Sequence, residues 1–309
     1  MVKRILDCTG SDFEKMTAQE LKYSILAAEG RTILAQNAAN FHSHLNGVTN
    51  IELEAGFGAD LIMVNNYNFK DMRANIGFEG MTLKEIKALI KRPVGVYFEC
   101  MGDGKPAYDR PDAYKDTSHR IATKENLENA LRYGADFIVL GGNPGRGTTL
   151  KTVIENTRLA KEVLGDSVMI WSGKWEDGVI EKVLGDPTAN YDAKEVIKEL
   201  IDAGADVINL PAPGSRHGIT VEDIRDLVTF VHTYKPGTLA MVFLDSSVEG
   251  ADEDTIRLIS LKMKETGADI HAIGDAGYSG LALPENIYQM SLTIRGRRFT
   301  FKRMCANNR

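Results

Sequence analysis

Gly134-Ala135-Asp136-Phe137-Ile138-Val139-Leu140-Gly141-Gly142-Asn143-Pro144-Gly145-Arg146-Gly147-Thr148-Thr149 forms one complete unit of the chain. Gly134 follows an apolar-periodic helical stretch and suits the left-handed conformation that ends one. Residues 136–140 are short, apolar and β-rich, the pattern of a strand buried on both faces. The glycine-rich loop behind them leads to Thr148 and Thr149, where another helical pattern starts. The opening tripeptide Gly-Ala-Asp recurs at Gly58-Ala59-Asp60, Gly204-Ala205-Asp206 and Gly267-Ala268-Asp269, with spacings of 76, 70 and 63 residues between successive copies. Each copy follows a helical pattern and precedes an apolar strand.

The same alternation continues on both sides. Strand patterns fall at residues 32–36, 60–64, 94–98, 136–140, 168–171, 206–210, 239–244 and 270–273. Helical patterns fall at 48–57, from 82, at 123–133, 150–164 and 193–203, from 220, and at 252–265 and 284–294. The tripeptides thus open every second strand. An open doubly wound sheet rarely carries eight such repeats without a break. The expected fold is a single α/β barrel of the (β/α)8, or TIM, type, built from quasi-repeated (βα)2 units. Residues 1–30 form an N-terminal helical extension, 31–296 the barrel and 297–309 a short basic C-terminal tail. In the extension, Thr17 and Glu20 match a capping box ahead of the apolar stripe Leu21, Ile25 and Leu26, a helix suited to closing the barrel bottom. Residues 179–184 read as a short amphipathic piece. The long polar stretch that follows Glu99-Cys100, up to Ala122, lacks apolar periodicity and reads as a lid or binding loop.

The 309-residue length accommodates one barrel of the usual ~250 residues plus extensions. A net charge of -6 gives no general attraction to nucleic acid or an anionic membrane. Cys8, Cys100 and Cys305 are odd in number and widely spaced, which argues against a disulfide framework and for a reducing, cytoplasmic setting. No apolar run is long enough to span a bilayer. The basic residues around Phe299-Thr300-Phe301 suit a helix C-terminus, whose dipole they complement, and the Phe-Thr-Phe alternation is a second reading, a surface for a homo-oligomer.

Barrel enzymes place their chemistry at the C-terminal ends of the strands. Those ends carry Gln36 and Asn37, Asn65 and Asn66, Glu99, Asn143, Lys174, Asn209, Asp245 and Asp275. Any one of these is more often a loop residue bonded to its own backbone. Converging on one mouth, they mark an active-site face. Glu99, Asp245 and Asp275 are the carboxylates for proton transfer. Lys174, between Trp171 and Trp175, is the lysine for a lowered pKa or an imine. Three glycine-rich loops, at residues 143–148, 214–220 and 277–280, lead directly into helix starts, where unpaired N–H groups favour an anion. Gly277, Ser279 and Gly280 after strand 8 are the first choice; Arg146 and Arg216 add charge over strands 4 and 6. A metal site is the alternative: His42, His44 and His217 with Asp275 partly match the amidohydrolase pattern, but strand 5 supplies no histidine.

In its ordered strands the chain resembles a group of uncharacterised bacterial TIM-barrel proteins, through Arg31-Thr32-Ile33, Gly58-Ala59-Asp60, and residues 269–280 and 295–304. It is more distantly similar to BtpA-like barrels at residues 65–69 and at Arg92-Pro93-Val94-Gly95-Val96. That resemblance implies the fold and little of the mechanism. The expected function is that of an enzyme on a small anionic, phosphorylated metabolite, with lyase, aldolase or isomerase chemistry and no required cofactor. A divalent metal belongs to the alternative, a hydrolase. A catalytically silent binding barrel is the third reading, because fold does not imply function.

Overall fold

The computed structural model describes residues 2–101, 118–143 and 145–308. Residues 102–117 of the stretch read as a lid lie outside the described residues. Eight parallel strands close in sequence order: β1 Thr32–Ala38, β2 Leu61–Asn65, β3 Val94–Glu99, β4 Phe137–Gly141, β5 Met169–Gly173, β6 Val207–Pro211, β7 Leu239–Leu244 and β8 Ile270–Ile273, with β8 pairing back on β1. Every residue of every strand is buried, as continuous apolar runs require when side chains pack on both faces. The fold is the TIM barrel expected.

Helices α1 Gly10–Phe13 and α2 Ala18–Leu26 precede the barrel. Then α3 Asn50–Gly56, α4 Leu83–Ile90, α5 Lys124–Arg132, α6 Leu150–Leu164, α7 Ala193–Asp202, α8 Val221–Tyr234, α9 Glu253–Glu265 and α10 Pro284–Met304 alternate with the strands. Thr17 caps α2 by the expected box with Glu20. Leu21 and Ile25 join a buried cluster with the barrel interior residues Leu34, Leu61, Met169 and Ile270, so the extension closes the bottom. Residues 179–184 form no helix. Asp177 there takes a positive φ and Leu184 N–H donates to Lys174 O at 2.8 Å, so the segment folds back as a loop. The chain turns at Gly296 (φ 72) and continues as helix to Met304. Among the described residues, no helix is long and apolar enough to cross a membrane.

The tripeptides explain the closure. Gly58, Gly134, Gly204 and Gly267 all have positive φ, from 82 to 117, which glycine adopts without strain. Each aspartate then makes a reciprocal pair with one residue of the preceding strand. Asp60 N–H donates to Ile33 O, and Ile33 N–H donates to the Asp60 carboxylate, both at 2.9 Å. Asp136 does the same with Val94, Asp206 with Ile170 and Asp269 with Ala240. A basic partner stands at each carboxylate: Arg295 and Arg303 at Asp60, Lys87 at Asp136, Lys22 at Asp206 and His232 at Asp269.

These four sites differ in burial, and that sets a test. Asp60, Arg295 and Arg303 are essentially fully buried. Asp60→Asn leaves two guanidiniums without a counter-charge and should cost about 3–5 kcal/mol. Lys22 at Asp206 retains some exposure and can turn to water, so Asp206→Asn should cost only about 1–2 kcal/mol. Urea unfolding of the two variants measures the difference; equal costs would contradict it.

Candidate functional site

Strand alternation decides which strand-end residues face the mouth. Leu34, Leu61, Met63, Tyr97, Phe137, Val139, Trp171, Met241 and Phe243 belong to the interior cluster, whereas their neighbours Ile33, Ile62, Val96, Ile138, Ile170 and Val242 pack under the helices. Continuing each series by twos brings Gln36, Asn65, Glu99, Asn143 and Asp245 to the mouth. Asn37 falls on the other series: its Nδ2 donates at 3.0 Å to Glu54 of α3.

At the mouth a cavity of about 360 Å3 is lined by Glu176, Asp245, Glu249, Asp275 and Arg216, with Gln36, Asn65, Asn143, Ser246 and Ser247. A second cavity of about 210 Å3 adjoins it, lined by Arg120, Asn66, Ser279 and Gly280 among others. Asn65, Asn143 and Asp275 line both. Two arginines converge on the fully buried Glu99: Arg120 at 3.2 Å and Arg146 at 3.2 Å. Asn143 Nδ2 donates to the same carboxylate at 2.9 Å, and Arg120 donates to Asn65 Oδ1 at 3.1 Å. Across the mouth Arg216 donates to Asp245 at 2.8 Å, leaving its Nε–H without a partner among the described residues.

The remaining carboxyls are taken out of water without full compensation. Burial pushes Asp275 up to about 6, against the pull of Arg120 and of Asn65. Its Oδ2 has no partner among the described residues. Burial pushes Glu249 up to about 7, with Asp245 and Asp275 adding to the rise. The amides of Glu249 and Gly277 temper this shift, yet among the described residues neither Glu249 oxygen has a partner in hydrogen-bonding geometry. Half-buried Glu176 is held well above the usual carboxylate range, first by loss of water and then by Asp245. Asp245 is also raised by burial, with Arg216 opposing.

Glu249 is carried on a short 3-10 turn, Val248–Gly250, after β7. Asn286 of α10 donates to Glu249 O at 2.8 Å and Ala251 O at 2.9 Å. A Cβ on Gly250 would lie 2.5 Å from Gly277 O, and one on Gly277 would lie 2.3 Å from Gly250 N. Gly277 is therefore required for backbone contact between the loops after β7 and β8.

Other residues singled out from the sequence lie elsewhere. Lys174 follows Ile170 and Ser172 on the outward series; it is 1% exposed. Its ammonium donates to the carbonyls of Thr148, Glu176 and Asp177. Asn209 follows Val207 on the inward series but lines neither cavity; it is fully buried, with both amide atoms unpartnered among the described residues. The β8 loop does not lead directly into a helix: Gly280 N–H is bonded to Asp275 O, and Ala282 N–H returns to Gln36 O before α10 begins. Over β4, Gly145 N–H donates to Asp177 and Leu150 N–H to Glu181, so the protein's own carboxylates occupy those amides. His42, His44 and His217 are exposed. His44 Nδ1 is 3.0 Å from Asn50 Oδ1. Among the described residues, no three His, Cys, Asp or Glu side chains gather as a metal site needs. Arg120, Glu176 and Glu249 were not singled out from the sequence. All three come from loops, where no strand period signals direction.

A family model described as "Domain of unknown function (DUF7916)" matches residues 6–309, and the chain belongs to that family. No curated protein matches it. Among solved structures, it is similar to an archaeal fructose 1,6-bisphosphate aldolase, with 12% identity and a TM-score of 0.52 over 91% of this chain and 100% of that one. It is similar to 2,3-dimethylmalate lyase, described as a PEP mutase/isocitrate lyase superfamily member, with 15% identity and a TM-score of 0.50 over 89% and 95%. The carboxyl transferase domain of Rhizobium etli pyruvate carboxylase gives 14% identity and a TM-score of 0.52 over 97% of this chain, which spans only 51% of that structure. At such identities these likenesses show the fold alone.

The raised carboxyls tie stability to pH. Folded Glu249 holds its proton to about pH 7, against an ordinary value of 4.5, so its contribution is present below that ordinary value and lost as pH rises through 7. Glu249→Gln cannot ionise and should gain on wild type by up to about 3 kcal/mol between pH 4 and pH 8. Denaturant unfolding at the two pH values reads this. A constant difference would place the carboxyl in water.

Proposed function

We propose that the protein is an enzyme that moves a proton on a small anionic metabolite at the barrel mouth, in a lyase- or isomerase-type reaction. One observation carries the reading: a single cavity holds the unpartnered Nε–H of Arg216 and the unpartnered Oδ2 of Asp275, whose carboxyl is pushed up to about 6. A guanidinium already braced by Asp245 binds a carboxylate or phosphate oxygen with little loss of freedom. A carboxyl that titrates near the working pH is present in both forms and can take a proton from one carbon or oxygen and return it to another.

In this reading Asp275 is the acid–base group and Arg216 the anion anchor. Glu99 is a positioning residue, holding Arg120 and Arg146 at the rim. Lys174, committed to three carbonyls, braces the loop after β5 and forms no imine. A phosphorylated substrate would extend its phosphate into the smaller cavity, beside Arg120, Asn66 and Ser279. Proton transfer of this kind draws on side chains and requires no cofactor. A lyase and an aldolase among the similar barrels are in keeping with such chemistry.

Thermal melts with small carboxylates and phosphates identify anions that stabilise the protein, and NMR in deuterated buffer then follows carbon-bound proton exchange in each. Asp275→Asn should lower exchange or turnover about 10²–10⁴-fold. Arg216→Gln should instead weaken binding roughly tenfold. Undiminished exchange by Asp275→Asn would contradict the assignment.

A further inference from the structure

Among the described residues, the side-chain atoms of the larger cavity that lack a partner are of two kinds. Arg216 Nε–H is a donor; both oxygens of Glu249 and Oδ2 of Asp275 are carboxyl oxygens. Glu249 is 2% exposed and Asp275 6%, so bulk solvent does little to compensate them. A simple anion would satisfy the arginine and leave the two carboxyls facing more negative charge. A hydroxyl offers a single O–H donor to three waiting oxygens, whereas a primary ammonium offers three donors and the opposite charge. The position of Glu249 is set by the Gly250–Gly277 backbone contact and by Asn286, so its side chain stays at the cavity wall whether or not a ligand is there.

We propose that the ligand of this cavity is a small zwitterion, an organic acid or phosphate that also carries a primary ammonium, with the anion on Arg216 and the ammonium between Glu249 and Asp275. This rests on the anion-binding reading above and narrows the substrate class to amino acids or amine-bearing phosphates. Burial of the ammonium is offset by ionised Glu249, which releases its proton at modest cost because its carboxyl already titrates near 7. Asp275 then lies next to carbon bearing the amine, where a proton is moved.

Isothermal titration of the full chain at about pH 8, where free Glu249 is largely ionised, tests the proposal with two matched pairs. One is β-alanine against 3-hydroxypropanoate; the other is 2-aminoethyl phosphate against 2-hydroxyethyl phosphate. The amine of each pair should bind roughly tenfold more tightly than its hydroxy partner. In Glu249→Gln the gap should close, with the hydroxy compounds binding as well as before or better. The wild-type comparison stands by itself if the variant does not fold. Equal binding of the two members, or tighter binding of the hydroxy compounds, overturns the ammonium seat and leaves the anion reading intact. If none of the four binds and no small anion stabilises the protein, the anion reading fails and this one fails with it.

Discussion

The reciprocal pairing of an aspartate with the strand before it is the constraint from which the rest of the barrel follows. Each of Asp60, Asp136, Asp206 and Asp269 gives its own N–H to a carbonyl and takes the N–H of that same residue on its carboxylate. Two bonds to one residue fix the register of the pair at the bottom of the barrel. Because side chains alternate along a strand, a slip of one residue would exchange every inward side chain for an outward one. The mouth chemistry therefore depends on hydrogen bonds made at the opposite end. With Asp60 anchored, Asn65 faces the mouth and Asn66 turns aside towards the smaller cavity. With Asp136 anchored, Asn143 reaches Glu99.

Below the mouth lies a second, quieter carboxyl. Glu54 is fully buried, and its Oε1 accepts from Asn37 and from Ala282 N–H. Burial holds it well above the usual carboxylate range, and Asp275 adds to that rise. The acids around the mouth thus raise one another by withdrawal from water and by like charge. A protein selected only for stability would replace such groups with apolar ones. Their clustering at one cavity, opposite a braced arginine, is the observation on which the proposed proton transfer rests.

Much of this was legible in the sequence. Repeated Gly-Ala-Asp and eight alternations were enough for the barrel, and several of the strand ends line the two cavities at its mouth. Period-two alternation, applied strictly, would also have separated Gln36 from Asn37 and shown Lys174 on the outward series between inward Trp171 and Trp175. Arg120, Glu176 and Glu249 were beyond its reach because loop side chains follow contacts, such as that between Gly250 and Gly277, which join residues distant in sequence. The glycines after β8 looked like an anion loop and serve in part as a packing contact. The segments that carry the BtpA-like resemblance have different fates: Asn65 lines the mouth, whereas buried Arg92 donates to the carbonyls of Ala59, Lys91 and Arg303 beneath the barrel.

The central claim is that the mouth holds carboxyls poised near neutrality. Carbon-13 NMR of the side-chain carboxyls, titrated with pH and assigned with Asp275→Asn and Glu249→Gln, measures this directly. The account predicts one midpoint near 6 for Asp275 and one near 7 for Glu249. Midpoints for both in the ordinary range near 4 would contradict it.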